Sequence, residues 1–404
     1  MTDTTHHADT PDFPMAKSPQ CPFDPAPDLY TQRDKGTVTK VRLWDGSTPW
    51  LVTGFAEQRA VLSDPRVSAD FTTPGYPSTV PLPPSGVKRS FIGMDDPEHA
   101  RLRRMVTAPF AVKRIEAMRP AVQRIVDDLI DTMLAGPNPT DLVEAFALPV
   151  PSLVICELLG VPYTDHDFFQ DNSKTIINRT ATPEQRRAAH AGMNSYLDEL
   201  IGVKLADPGD DLLSDLAGRV RAGELEREEA ARMGALMLLA GHETTANMIA
   251  LGTLTLLQHP EQLTLLRDTD DVKLVASTVE ELLRYLNIVH NGRMRAVRED
   301  IEVAGQIIRA GEGVIMPNEI ANRDPQVFPD PDRLDITRDA RSHVAFGFGV
   351  HQCLGQPLAR MELQVVYSTL YRRIPTLRPA ADLDQIPFKH DGMVYGVYEL
   401  PVAW

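Results

Sequence analysis

The chain of 404 residues is longer than most single domains, although one large globule of that size is allowed. With 43% hydrophobic and 24% charged residues it has the composition of an ordinary folded protein. A formal net charge of −15 argues against nucleic acid as a general partner, because phosphate binding needs a basic surface. Three cysteines, Cys21, Cys156 and Cys353, are odd in number and far apart, so no disulfide framework can be read, as expected in a reducing cytoplasm.

Met1 to Gln20 is polar, contains prolines and lacks the apolar core of a signal peptide or anchor. The longest apolar run, Met233 to Gly241, is less than half of the ~20 residues that span a bilayer. A cytoplasmic, unanchored monomer is the expectation, with residues 1–35 forming a partly ordered surface arm. Strands are expected at Val38–Leu43 and Trp50–Thr53, where apolar and polar residues partly alternate. Phe71–Lys88 is rich in Pro, Ser, Thr and Gly and reads as a long loop.

From Pro97 onward helical periodicity dominates, with helices expected over Arg119–Leu134, Val150–Leu159, Glu184–Lys204, Glu226–His259 and Val272–Leu286. The helix ended by Pro260 is apolar on nearly every face between Met233 and Leu257, the mark of a helix buried in the core. Short strands follow at Ile301–Val303 and Gly313–Pro317, then a polar, Pro-punctuated segment at Asn322–Arg341, and a last helix through Leu370. The layout is mainly α with a small β component, organised as one domain over 1–404.

The segment Phe346-Gly-Phe-Gly-Val-His-Gln-Cys353-Leu-Gly355 carries the most chemical information. Glycines permit sharp turns and close backbone approach to something flat or bulky. Cys353 is expected to open a helix, where free N–H groups and the positive end of the dipole stabilise a thiolate. Residue chemistry alone leaves four readings: a structural cysteine, a zinc site with His343 and His351 but no second ligand pair, a Cys–His nucleophile, or haem ligation.

This segment resembles the haem-binding loop of the cytochrome P-450 superfamily, in its soluble bacterial class. That family's pattern, Phe-Gly-x-Gly-x-x-x-Cys-x-Gly, is matched by Phe346, Gly347, Gly349, Cys353 and Gly355. The resemblance implies a single-domain fold with haem b between a long oxygen-groove helix and the cysteine-bearing loop, and Cys353 as the iron ligand. It extends to Glu281-Leu-Leu-Arg284, similar to the family's Glu-x-x-Arg helix, with Arg333 implied as the third member of that structural ion-pair network. Ala240-Gly241-His242-Glu243-Thr244-Thr245 resembles the oxygen groove, which implies an acid–alcohol proton relay at Glu243 and Thr244. Glu stands where well-known bacterial members have Asp. His99 and Arg103 resemble the family's propionate-binding His-x-x-x-Arg pair, and Arg295 and His351 match two further propionate positions.

The family's activity implies insertion of one atom of O2 into a substrate, by hydroxylation or epoxidation. Electrons are implied to come from NAD(P)H through a ferredoxin reductase and an acidic ferredoxin. Between His99 and Arg124 there are seven basic residues and one acidic, a local excess of +6 that suits docking of such a partner on the proximal face. Resemblance also marks Phe71–Lys88, Leu236–Gly241, Asn287–Met294 and Asp391–Gly396 as substrate-facing. These offer Leu236, Met237, Ile288, Val289, Met393 and Val394, with Arg293 able to meet a carboxylate. A bulky apolar small molecule, a polyketide or macrolide, steroid or terpenoid, is the expected substrate. A peroxide-driven peroxygenase and a non-catalytic haem sensor are the competing functions.

Overall fold

The computed structural model describes residues 10–82, 89–177, 181–289, 291–390 and 394–404. The protein is mostly helical with small sheets, as the sequence implies. The chain divides into two compact units, one built from Met1–Ala100 and Glu280–Cys353, the other from Arg101–Val279 and Leu354–Trp404.

The first unit is organised by a five-stranded sheet in the order Val38–Lys40, Trp50–Val52, Gly313–Met316, Arg293–Val297, Val67–Ser68. The pairing of Trp50 and Leu51 with Val314 and Ile315 is parallel, and the other pairings are antiparallel. Strand side chains alternate between faces, and the two faces bury separate cores. Val52, Val314 and Met316 pack with Val61, Leu62 and Val297, whereas Leu51 and Ile315 pack with Phe13, Met15, Leu29 and Val41.

The second core shows how the described part of the N-terminal arm is held. From residue 10 the N-terminal segment covers one face of the sheet, and Pro27–Lys35 is a helix. Its signals are present in the sequence: Pro27 in the first turn, Asp28 beside it, Arg33 and Lys35 in the last turn, and Gly36 after it. A buried Lys17–Glu319 ion pair of 2.7 Å pins the segment in place.

The helix Val272–Tyr285 delivers Glu281 and Arg284 into this unit. Both side chains are 0% exposed and paired through Arg284 Nε and Glu281 Oε2 at 2.7 Å. The third member of the network is Arg338, whose Nε lies 3.2 Å from Glu281 Oε1. Arg333, expected in that place, instead turns an exposed guanidinium to Asp335 and contributes its carbonyl to Arg284. The turn at Pro331–Arg333 points that side chain to solvent, and the chain returns to Glu281 five residues later.

The second unit is built around the helix Arg227–Gln258, whose 32 residues extend ~48 Å. It packs against Pro149–Leu159, Pro183–Ala206, Leu212–Arg221 and Gln356–Arg373. Val112–Ala135 packs on Gln356–Arg373 in turn, starting earlier than expected and running through Pro120. No helix among the described residues is long and apolar enough to cross a membrane.

Candidate active site

In the first unit the loop around Cys353 is shaped by two glycines. Gly347 and Gly349 both have φ near +75° (75° and 73°), a region that favours glycine. A Cβ on Gly347 would lie 2.8 Å from Arg293 Nε, and one on Gly349 would overlap the Leu62 carbonyl. These turns bring Cys353 back to the start of the loop, where its N–H donates to the Phe346 carbonyl at 2.8 Å.

Cys353 does not open the helix. Gly355 is the cap and Gln356 the first helical residue, because Pro357 fixes φ for the first turn. The thiol therefore projects from the turn ahead of the helix, and its own N–H is spent inside the loop. It is exposed, whereas Cys156 is buried and burial pushes its thiol up to about 12.

Among the described residues, two buried arginines near this loop, Arg293 and Arg295, have no carboxylate partner. His99 is buried, with Nδ1 3.0 Å from Asp96 Oδ1 and Nε2 without a partner. Its ring lies 4.1 Å from that of His351. Arg295 donates to the Met294 carbonyl, and burial lowers its pKa. Arg293 donates to the Ala345 carbonyl and leaves Nη1 buried without a partner. Burial, then the neighbouring Arg295, bring it down to about 10 although Cys353 opposes the shift. Desolvated guanidinium groups satisfied only by carbonyls call for carboxylates. Arg103, half-buried, follows His99 by one helical turn.

A zinc centre on His343, His351 and Cys353 does not fit. His343 Nε2 faces Glu280 at 3.1 Å and its Nδ1 accepts from the Ala345 N–H. A thiol plus unneutralised cations instead suit an iron porphyrin, which needs an anionic sulfur and carries two carboxylates. The residues present fit haem.

In the second unit the long helix is buried between Met233 and Leu256 except at Leu236, Leu239, Ala240, Gly241 and Thr244. Leu236, Ala240 and Thr244 follow one another at i+4 and form a single open stripe. Thr244 Oγ1 donates to the Ala240 carbonyl at 2.6 Å, the local bond open to a helical threonine. Glu243 is buried, with Oε1 receiving Asn247 Nδ2 at 2.8 Å and Lys389 Nζ at 3.0 Å.

Asn247 and Lys389 were not anticipated. Asn247 stands one turn after Glu243 and could have been found by that spacing. Lys389 is 146 residues away, and nothing local announces it. Of the expected pocket residues, Ile288, Val289 and Val394 are half-buried, Met237 is buried, and Met393 lies outside the described residues.

A thiol on a glycine-shaped loop, buried arginines without carboxylate partners and, separately, a polar pair on an otherwise apolar helix are the features expected of a haem-thiolate oxygenase. Comparison with known proteins agrees. Residues 207–374 match the family model "Cytochrome P450". Cytochrome P450 GfsF of Streptomyces halstedii is 57% identical over the whole of both chains. The crystal structure of GfsF superposes with a TM-score of 0.93, covering 98% of this chain and 100% of that one. The 20-oxo-5-O-mycaminosyltylactone 23-monooxygenase of Streptomyces fradiae is 41% identical, over 97% of this chain and 92% of that one. The mycinamicin VIII C21 methyl hydroxylase MycCI of Micromonospora griseorubida, bound to mycinamicin VIII, is 40% identical with a TM-score of 0.90, covering 98% and 100%. The chain belongs to the cytochrome P450 family and is a haem-dependent monooxygenase.

Proposed function

We propose that Cys353 would supply the thiolate ligand of a haem, that His99, Arg103, Arg295 and His351 would hold its propionates, and that Phe346, Gly347, Ala240 and Gly241 would be further contacts of the cofactor. Bound haem supplies activation of O2, so that one oxygen atom enters a C–H or C=C bond and the other leaves as water, at the expense of two electrons and two protons. Everything else falls to the protein. The unpartnered Nε2 of His99 is the observation that carries the cofactor assignment, because a buried ring nitrogen left without a partner is costly unless a ligand satisfies it.

Thr244, on the open stripe, could release the Ala240 carbonyl and offer its hydroxyl as a hydrogen-bond donor, while Glu243, the residue before it, would exchange protons. Leu236, Ile288, Val289 and Val394 supply apolar surface that excludes water and holds a hydrocarbon substrate. The relatives' names, which include a tylactone derivative, mycinamicin VIII, pentalenic acid and vitamin D3, support a bulky, largely apolar small molecule as substrate. Electrons arrive in the cytoplasm from an acidic ferredoxin.

The reduced, carbon monoxide-treated protein should give a strongly red-shifted Soret band. Cys353→Ser should abolish that band while Cys21→Ser and Cys156→Ser keep it. Retention of the band by Cys353→Ser would sink the assignment.

A further inference from the structure

The two oxygens of Glu243 are treated unequally. Oε1 accepts from both Asn247 and Lys389, whereas Oε2 is buried with no partner among the described residues. Asn247 is itself fixed, since its Nδ2 also donates to the Glu243 carbonyl at 2.8 Å. Its Oδ1 occupies the space where a Cβ at position 396 would stand, so only glycine fits there.

Position 396 and Lys389 belong to the same pair of antiparallel arms. The Lys389 N–H donates to the Gly396 carbonyl at 2.8 Å, Phe388 pairs with Val397, and the Tyr398 N–H donates to the Pro387 carbonyl at 2.8 Å. The Lys389 ammonium is 5.6 Å from the Tyr398 ring centre and largely buried. The arms thus meet the long helix twice, at Gly396 against Asn247 and at Lys389 against Glu243.

We propose that Lys389 is a positioning residue for proton transfer, anchoring Oε1 of Glu243 so that Oε2 is held in place to take up and hand on the proton. This rests on the relay role given to Glu243 above. A buried carboxylate without a counter-charge is driven toward its neutral form by desolvation. A carboxyl group that is already neutral cannot take up a further proton, and an untethered one loses its aim. With Lys389 in place, Oε2 gains a proton from solvent, gives it to the oxygen being reduced, and returns to the paired carboxylate.

The test compares wild type, Lys389→Met, Lys389→Arg and Lys389→Met/Glu243→Gln, each first checked for the red-shifted carbon monoxide band. NADPH oxidation is driven by a ferredoxin and its reductase with O2 as the sole acceptor, in H2O and D2O. Lys389→Met should slow oxidation by about tenfold and enlarge the solvent isotope effect, the scale of a mispositioned general acid. It should also add an infrared carbonyl band of a neutral carboxylic acid that the double variant lacks. Lys389→Arg should stay within about twofold, since its charge still reaches the carboxylate.

A Lys389→Met protein that binds haem yet keeps the wild-type rate and isotope effect, with no neutral-acid band, overturns the proposal. Lys389→Gln answers the same question if the methionine variant does not hold haem. Absence of the red-shifted band from wild type would refute the haem-thiolate reading instead, and the infrared comparison would still decide the pairing.

Discussion

Glu281 and Glu243 are both buried acids, but they are satisfied in different ways. Glu281 is saturated: Arg284 holds both oxygens, Arg338 holds one, and the Asp335 N–H adds a further bond at 3.0 Å. Arg284 also donates to the carbonyls of Asn322 and Pro331, tying three chain segments to one guanidinium. Removing one partner of such a pair leaves a charge uncompensated, so Arg284→Ala should cost about 3–5 kcal/mol in urea unfolding. Arg333→Ala should cost under about 0.5 kcal/mol, because its side chain meets only Asp335 at the surface. Equal costs for the two would refute the assignment of Arg338 as third partner. Glu281 and Arg284 were legible because i,i+3 spacing places them on one helix face. Arg338 was not, since an irregular segment has no period from which to count.

Among the elements, those that repeat a period were readable and those held by distant partners were not. The long helix stood out because every face is apolar, and the structure returns it within a residue at each end. Val67–Ser68 and Thr140–Asp141 are two-residue strands whose partners lie in Arg293–Val297 and Pro401–Ala403, and no local pattern marks them. The packing of the long helix on Gln356–Arg373 has a defined close point. The buried Tyr367 hydroxyl donates to the Met248 carbonyl at 2.5 Å, and it fills the space beside Gly252 where a Cβ would go. Gly252→Ala should therefore destabilise by about 1–3 kcal/mol through overpacking. Adding Tyr367→Phe should restore part of that loss despite removing a hydrogen bond. If thermal unfolding shows the two changes to be simply additive, this contact does not set the spacing of the helices.

For the molecule as a whole, a net charge of −15 must be reconciled with the acidic electron donor proposed above. The sequence excess of +6 between His99 and Arg124 overstates the free charge. Arg101 pairs with Glu229, Arg114 with Asp210 and Asp215, and Arg119 with Glu116. Arg101 and Arg114 are neutralised by carboxylates that only folding brings to them, and Arg119 by Glu116 on its own helix, which the +6 already counts. Arg104, Lys113 and Arg124 are exposed and have no ion-pair partner among the described residues. Lys113 and Arg124 are eleven residues apart on Val112–Ala135, close to three full turns, so they share one face of that helix. Steering of an acidic ferredoxin should depend on these cations and not on the paired ones. Arg104→Glu and Lys113→Glu should each slow ferredoxin-driven haem reduction, followed as growth of the carbon monoxide band, by about three- to tenfold at low salt, with the difference fading once the Debye length falls to ~3 Å at 1 M. Arg114→Ala should change the rate by less than about twofold, because its charge is already cancelled by two aspartates. Reduction by dithionite, a small reagent that needs no docking, should separate these variants little. A charge reversal that slowed both reductants alike would mean that the haem environment had been damaged and that these residues do not receive the partner.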